Sequence, residues 1–261
     1  MPAESAVRST FSMNGRVALV TGASSGLGAH FARVLASAGA KVAIAARRID
    51  RLETLAAEIN AAGGVAAPVA MDVTDPGSVK AAFDAAEAAL GPIAVLVNNA
   101  GIPSHTPFLK TTETEWRDVL AVNLDGVFRV GQEAARRMAS RGQGGAIVNI
   151  ASIAGSSVMK TLAPYCVSKA GVIQLTKAMA LELARDKIRV NAIAPGYFKT
   201  EINEAFWETD AGRRMISRIP FSRLGNLGDL DGPLLLLASD AGRFMTGSVV
   251  TVDGGHLLAG I

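Results

Sequence analysis

The sequence predicts a single doubly wound α/β domain built on a seven-stranded parallel sheet with helices on both faces. Three observations carry this. Short runs of Val, Ile and Ala alternate with longer segments of helical period along almost the whole chain. Those runs are apolar on both faces, as strands covered by helices on two sides must be; a strand with one wet face would alternate. The first run also ends directly in a glycine-rich turn that opens into the first helical segment. With 261 residues, 49% hydrophobic and 19% charged, the chain can bury such a core as one unit.

Taken in order, residues 16–21 (RVALVT) form the first strand and 27–38 the first helix. A second strand at 41–45 (KVAIA) precedes a helix at 49–62, and a third at 65–71 (VAAPVAM) precedes one at 76–90. That third helix has a clear start, because Asp75 offers a capping side chain and Pro76 has the φ of a first helical turn. The fourth strand is 93–98 (IAVLVN). Thr112, Glu113, Thr114 and Glu115 match a capping box, so a helix begins at Glu113 and runs to Met138, with a break near Asn123. Strands at 146–150, 189–194 and 248–252 and helices at 163–185 and 227–238 complete the alternation. Residues 201–223 do not fit it and read as a helical insertion over one sheet edge, a lid. Residues 1–13 read as a flexible arm, leaving 14–261 as the domain.

Composition narrows the function classes. Lys and Arg total 26 against 23 Asp and Glu, a net charge of +3, and no run of bases exceeds the pair Arg47 and Arg48, so no nucleic-acid partner is expected. A lone cysteine, Cys166, and an N-terminus without an apolar core point to a reducing, cytoplasmic location. No apolar stretch approaches the roughly 20 residues of a spanning helix, so no membrane segment is expected. His30, His105 and His256 lie far apart without ligand spacing, so no metal site is expected and each histidine reads as surface or structural.

The first strand runs into Thr21-Gly22-Ala23-Ser24-Ser25-Gly26-Leu27-Gly28. Glycines there let the backbone approach a pyrophosphate, and the helix N-terminus offers unpaired N–H groups and a positive dipole end. Gly22, Ser24, Ser25, Gly26, Leu27 and Gly28 are therefore candidates for dinucleotide contact. After the second strand, where a carboxylate would accept bonds from an adenosine ribose, the chain reads Ala45-Ala46-Arg47-Arg48. Ala46 cannot accept those bonds, whereas Arg47 can pair with a 2′-phosphate, which favours NADP(H) over NAD(H). The alternative is that both arginines are solvated charges at a helix start. Asp72, followed by Val73, either holds the adenine amino group or serves a turn.

Together, the TGxxxGxG loop, Asn98-Asn99-Ala100-Gly101 after strand four, Ser152 after strand five and Tyr165-Cys166-Val167-Ser168-Lys169 resemble the short-chain dehydrogenase/reductase family, from Gly15 to about Gly255. The resemblance implies a Rossmann-type fold and hydride transfer between a nicotinamide cofactor and a small carbonyl or alcohol substrate. The residues agree with it chemically. Tyr165 and Lys169 are four apart and share one helix face, so an ammonium can depress the phenol pKa and fit Tyr165 as general acid/base. Ser152 stands at a strand's C-terminal end, where open α/β sheets bind ligands, and could polarise the substrate oxygen.

Further roles come from the resemblance alone. It implies that Asn123 holds a water beside Lys169, and that Asn99, Ala100, Gly101, Pro195, Gly196, Phe198 and Thr200 line the cofactor, Phe198 at the carboxamide and Thr200 at the carboxamide or the phosphate. It treats Cys166 as a small buried side chain and implies a homotetramer joined through the helices at 113–138 and 163–185. Val172, Ile173, Leu175, Met179, Ala180 and Leu183 give the latter more apolar positions than one buried stripe needs. Many NADP-preferring relatives carry a second basic residue inside the glycine loop, where this chain has Ser24 and Ser25, which tempers the preference. The lid combines Phe206, Trp207, Met215, Ile216 and Ile219 with Arg213, Arg214 and Arg218, so a 3-oxoacyl thioester is an alternative substrate to a simple ketone. A catalytically silent cofactor sensor is a third reading, and the complete set of Asn123, Ser152, Tyr165 and Lys169 argues against it.

Overall fold

A computed structural model describes residues 9–200 and 204–259. Seven strands, β1 (Val17–Thr21), β2 (Lys41–Ala46), β3 (Val65–Ala70), β4 (Ile93–Asn98), β5 (Gly145–Ile150), β6 (Ile188–Pro195) and β7 (Val249–Val252), form one parallel sheet in the order β3-β2-β1-β4-β5-β6-β7. Alternation along each strand divides the core. Ala18 and Val20 of β1 and Val42 and Ile44 of β2 face a layer with Phe31, Leu35, Leu52 and Leu234, while Leu19, Ala43 and Ala45 face Phe83, Val130 and Met138 on the other side. The first layer comprises helices α1 (Gly26–Ser37) and α2 (Ile49–Ala61) with the late helix α9 (Asp231–Ala238). The second comprises α3 (Pro76–Leu90), α5 (Gly126–Arg141) and α6 (Ala163–Glu182).

The start signals read from the sequence are made in space, except that the capping box at Thr112 forms on one side only, since Glu115 Oε1 accepts from Ser104 Oγ at 2.9 Å. Asp75 Oδ1 accepts from Gly77 N at 2.9 Å, and Thr112 Oγ1 accepts from Glu115 N at 3.1 Å to begin α4 (Glu113–Leu120). The break near Asn123 is a single π-helical turn, Ala121–Asp125, which carries α4 into α5 without interrupting the rod. Such turns often mark functional positions because they rotate one side chain out of helical register. In the insertion, α7 (Glu204–Trp207) and α8 (Asp210–Ile216) are short, and Trp207 and Ile219 are buried against the domain. Residues 201–203 of the expected lid and 1–8 of the expected arm lie outside the described residues.

Met13 corrects the expected end of the arm. It is fully buried in the α1–α2 layer and its N–H donates to Ala38 O at 2.9 Å, so the packed domain already includes it. A buried methionine ahead of the first strand has no signature in sequence, because only the tertiary fold brings the α1 C-terminus to it. Among the described residues no helix is long and apolar enough to cross a membrane, and no group of His, Cys, Asp and Glu has metal-binding geometry.

Candidate active site

The chain leaves β1 for β2 and β3 on one side, then returns to place β4 against β1's other edge. Loops from β1 and β4 therefore diverge at their C-terminal ends and open a crevice between them, the usual ligand position of such sheets. At its floor Thr21 Oγ1 accepts from Asn99 N (3.0 Å) and Ala100 N (3.1 Å), while Asn99 Nδ2 donates to Thr21 O (3.0 Å) and Gly22 O (3.3 Å). Gly22 has φ +67°, and a Cβ there would sit 2.8 Å from Ala100 Cα. A Cβ at Gly28 would collide with Gly22 O. The loop is thus folded against Asn99, and the half-buried N-terminus of α1, which has no side-chain cap from Ser25, opens on the crevice as a site suited to a phosphate. Thr200 lies beside this group, its Cγ2 3.9 Å from where a Cβ on Gly26 would stand.

The two arginines separate. Arg47 is exposed, and its charge helps hold the Asp72 carboxyl below the usual range, after the hydrogen bonds from Thr74, the largest cause. Arg48, just before α2, turns back instead: Nη2 donates to Ser24 Oγ at 2.8 Å and Ser25 Oγ at 3.3 Å. A guanidinium thus reaches the glycine loop from outside it, at Ser24 and Ser25. Asp72 makes the turn contact, Oδ1 accepting from Thr74 N (2.9 Å) and Thr74 Oγ1 (2.7 Å). Val73 is buried, and Arg129 Nη1 donates to its carbonyl at 2.5 Å.

Across the crevice, β5 delivers Ser152 and α6 delivers Tyr165 and Lys169. Ser152 Oγ accepts from Ala154 N at 3.1 Å, capping a one-turn 3₁₀ segment, and also hydrogen-bonds the Tyr165 hydroxyl. Lys169 Nζ donates to Ile150 O at 2.7 Å and lies 5.7 Å from the Tyr165 ring centroid. Asn123, fully buried, accepts from Ile102 N at 2.8 Å and donates to Ile102 O (2.9 Å) and Ser168 Oγ (3.3 Å). Ser168 in turn donates to Tyr165 O at 2.8 Å, so the π turn, the β4 loop and the catalytic helix are tied through one amide. Asn123 Oδ1 and Lys169 Nζ are both near neighbours of Gly101.

The electrostatics differ in one respect from the sequence expectation. Burial is the main influence on both groups: it pushes the Tyr165 phenol up, with the Ser152 hydrogen bond drawing it part of the way back, and lowers Lys169 to about 8. The ammonium is turned to a backbone carbonyl, and Lys169 is not among the influences that shift the phenol, whose pKa is raised by burial and by the neighbouring Cys166. A stability consequence follows. With the folded pKa near 8 and the ordinary value 10.5, the buried ammonium costs stability in full below pH 8, and that cost vanishes as pH rises from about 8 to about 10.5. Lys169→Met relieves this cost but leaves Ile150 O without its donor, an offset of about 1–3 kcal/mol that does not depend on pH, so its stability to urea relative to the wild type should be most favourable at neutral pH. That relative stability should fall across the window; a pH-independent difference would contradict the buried charge.

Beyond Tyr165, the Tyr197 ring packs edge-on against Trp207 (centroids 5.1 Å) and tilted on His256 (5.3 Å), forming an aromatic wall under the lid. Burial and the nearby Tyr165 and Cys166 raise the Tyr197 pKa. Gly196 N donates to Val252 O at 2.9 Å, fixing the turn after Pro195, and buried Phe198 bridges to Gly225. Of the histidines, His256 packs within this wall and His30 lies 2.6 Å from Asp231. The basic rim is partly neutralised, because Arg213 is drawn 2.6 Å to Asp210. Sequence reading missed Thr21 as the brace, Arg48 as a loop partner and Ser168 as the link to Asn123. Thr21 and Ser168 lay inside the quoted motifs, but nothing in either motif says which hydroxyl turns inward.

The crevice thus has a glycine loop and a helix N-terminus at one wall and a buried tyrosine–lysine pair at the other, an arrangement suited to a dinucleotide-dependent oxidoreductase. The chain belongs to the short-chain dehydrogenase/reductase family, within which the family described as enoyl-(acyl carrier protein) reductase matches residues 22–256. It is 40% identical over 250 residues to 5-keto-D-gluconate 5-reductase of Escherichia coli K12, covering 95% of this chain and 98% of that protein. It is also 38% identical to the 3-oxoacyl-(acyl-carrier-protein) reductase of Thermotoga maritima, over 94% and 99% of the two chains. Among solved structures, a gluconate 5-dehydrogenase from Burkholderia cenocepacia J2315 in complex with NADP and tartrate superposes with a TM-score of 0.92 at 40% identity, over 96% of this chain and 98% of that one.

Proposed function

We propose that the protein interconverts a ketone and a secondary alcohol with NADP(H), on a polyhydroxylated substrate of the sugar-acid class. The observation that carries the chemistry is the convergence of Ser152, Tyr165 and Lys169 on one crevice wall, opposite a glycine loop that already holds a guanidinium. The residues fit the cofactor: the loop folded against Asn99 leaves the α1 N-terminus for the pyrophosphate, and Arg47 and Arg48 suit a 2′-phosphate. When bound, the nicotinamide supplies or accepts the hydride. The chain's own part is acid–base work. In reduction Ser152 donates a hydrogen bond to the substrate oxygen, Tyr165 gives it a proton, and Lys169 with Asn123 returns a proton to the phenol from solvent. The substrate class rests on the relatives named for ketogluconate and gluconate, with the aromatic wall of Tyr197 and Trp207 offering a face for a sugar carbon chain. The 38% identical 3-oxoacyl reductase keeps an acyl thioester as the second reading.

A panel of 5-ketogluconate, gluconate, simple ketones and a 3-oxoacyl thioester, followed at the nicotinamide absorbance with NADPH, NADP, NADH and NAD, tests both parts. Turnover confined to the thioester would replace the sugar-acid reading. Lys169→Ala should lower both cofactor affinity and kcat, because the reading gives its ammonium a contact with the nicotinamide ribose as well as a place beside Tyr165. Unchanged cofactor affinity by fluorescence titration would remove the ribose role.

We also infer a cytoplasmic homotetramer paired through α4–α5 and α6. The single buried thiol of Cys166 suits a reducing compartment. Val167 and Leu181 on α6 and Phe128 on α5 are exposed in the protomer, more apolar surface than an isolated helix pair needs to show. Light scattering at working concentration should give four chains; a monomer would overturn the pairing.

A further inference from the structure

We propose that a cleft at the N-terminal edge of the sheet, the end opposite the active site, binds a small polyanion carrying phosphate or carboxylate groups. The cavity has a volume of about 260 Å³ and lies among the starts of β1, β4, β5 and β6. Its lining holds four cations, Arg16, Arg141, Lys187 and Arg189, and one carboxylate, Asp240. Two features of the chain gather them there. The β1–β4 ladder skips a residue, pairing Val17 with Ile93 and Ala18 with Val95, so Ala94 is left as a bulge that opens the edge. The turn before β6 places Lys187 in the left-handed region (φ +59°), bringing it beside Arg189 at the lip.

The charges are only partly balanced from within. Arg189 Nη1 and Nη2 donate to Leu237 O (2.8 Å) and Ser239 O (2.9 Å), so this half-buried guanidinium meets backbone carbonyls and no carboxylate. Arg16 uses one nitrogen on Ala238 O (3.4 Å) and another on Asp240 (2.5 Å). Both arginines therefore also cap the last carbonyls around the α9 C-terminus, which explains their position but leaves each with N–H groups to spare. Arg141 is paired with Glu87 at 2.7 Å and donates to Ile93 O. Lys187 makes no ion pair among the described residues. Burial and the charge of Arg16 together lower the Arg189 pKa, with Asp240 acting the other way.

A concave wall of like charges focuses its field and attracts counter-ions, because low-dielectric walls screen it less than open solvent does. Volume sets the ligand's size. The cleft is smaller than the roughly 300–1,000 Å³ of sites for drug-sized molecules, so a phosphate or a short polycarboxylate fits and a dinucleotide does not. The strands between the two edges are about five residues long, so the cleft and the catalytic crevice are roughly 17 Å apart. An anion here does not share the cofactor's site.

The test is a titration of the full-length protein with inorganic phosphate and with citrate, by calorimetry and thermal unfolding. Saturating NADPH is present so that phosphate-binding groups at the other edge are filled, and sodium chloride at matched ionic strength is the control. Saturable binding and a raised Tm are expected with at least one anion and not with chloride; the stronger of the two identifies phosphate or carboxylate chemistry. Lys187→Asn, whose side chain tolerates the left-handed backbone, should weaken binding about tenfold. Gln143→Glu, which puts a carboxylate at the lip, should abolish it. Both positions are exposed and remote from the catalytic crevice, so unchanged turnover confirms that each variant is folded. A response to chloride equal to that to both anions, or binding unaltered in both variants, would overturn the proposal.

Discussion

Tyr165→Phe is expected to reduce turnover by 10²- to 10⁴-fold, the range for removing a positioned general acid, while cofactor binding stays within a factor of about two. The substitution deletes one oxygen and leaves the ring, whose packing beside Lys169 is independent of the hydroxyl. It also removes the hydrogen bond between Ser152 and the phenol, so Ser152 loses one of its two protein partners and keeps the other, Ala154 N. That residual cap keeps the one-turn segment after β5 in place, which is why the fold and the cofactor wall should survive. Steady-state kinetics with calorimetric NADPH binding checks both halves. Near wild-type kcat would sink the acid–base assignment, and loss of cofactor binding would show that the hydroxyl is structural.

Cofactor choice carries the second large effect. NADPH should be preferred to NADH, and Ala46→Asp combined with Arg47→Ala should move the preference toward NADH by about ten- to a hundredfold, since a charge-assisted contact contributes roughly 1.5–3 kcal/mol. The aspartate restores an acceptor for the ribose hydroxyls and repels the 2′-phosphate. Arg48→Ala should by itself weaken NADPH more than NADH, because the guanidinium it removes sits on Ser24 and Ser25 at the phosphate end of the loop. The second basic residue that the loop sequence lacks is thus supplied from the start of α2, which strengthens the preference expected from Arg47 alone. Ratios of kcat/KM for the two cofactors measure this. Equal efficiencies in the unmodified protein would reduce both arginines to solvated charges.

Most of the architecture was legible in one dimension. Strands buried on both faces must be continuously apolar, and helices between two such layers must repeat with a 3.6-residue period, so the alternation of the two located all seven strands and the helices joining them to within a few residues. Local chemistry was legible for the same reason. Asp75 and Thr112 cap the residues immediately after them, and the Tyr165–Lys169 spacing puts both on one face of α6 whatever surrounds it. Such interactions span fewer than five residues and need no knowledge of the rest of the fold.

What only the tertiary structure decided lies at longer range. Met13 is a core residue because the α1 C-terminus happens to pass over it. Arg48 rather than Arg47 touches the glycine loop because β1 and β2 are neighbours, and two adjacent arginines on a turn point in different directions. Asn123 acquires its partners only where the π turn meets the β4 loop and α6, three segments far apart in sequence. The Lys169 pKa near 8 is likewise absent from the motif, since it comes from burial of the ammonium beneath the ends of several elements. Sequence by itself determined residue type and local period, because those act over one turn; the direction of each polar side chain and the cost of burying its charge waited on which distant backbone came to lie beside it.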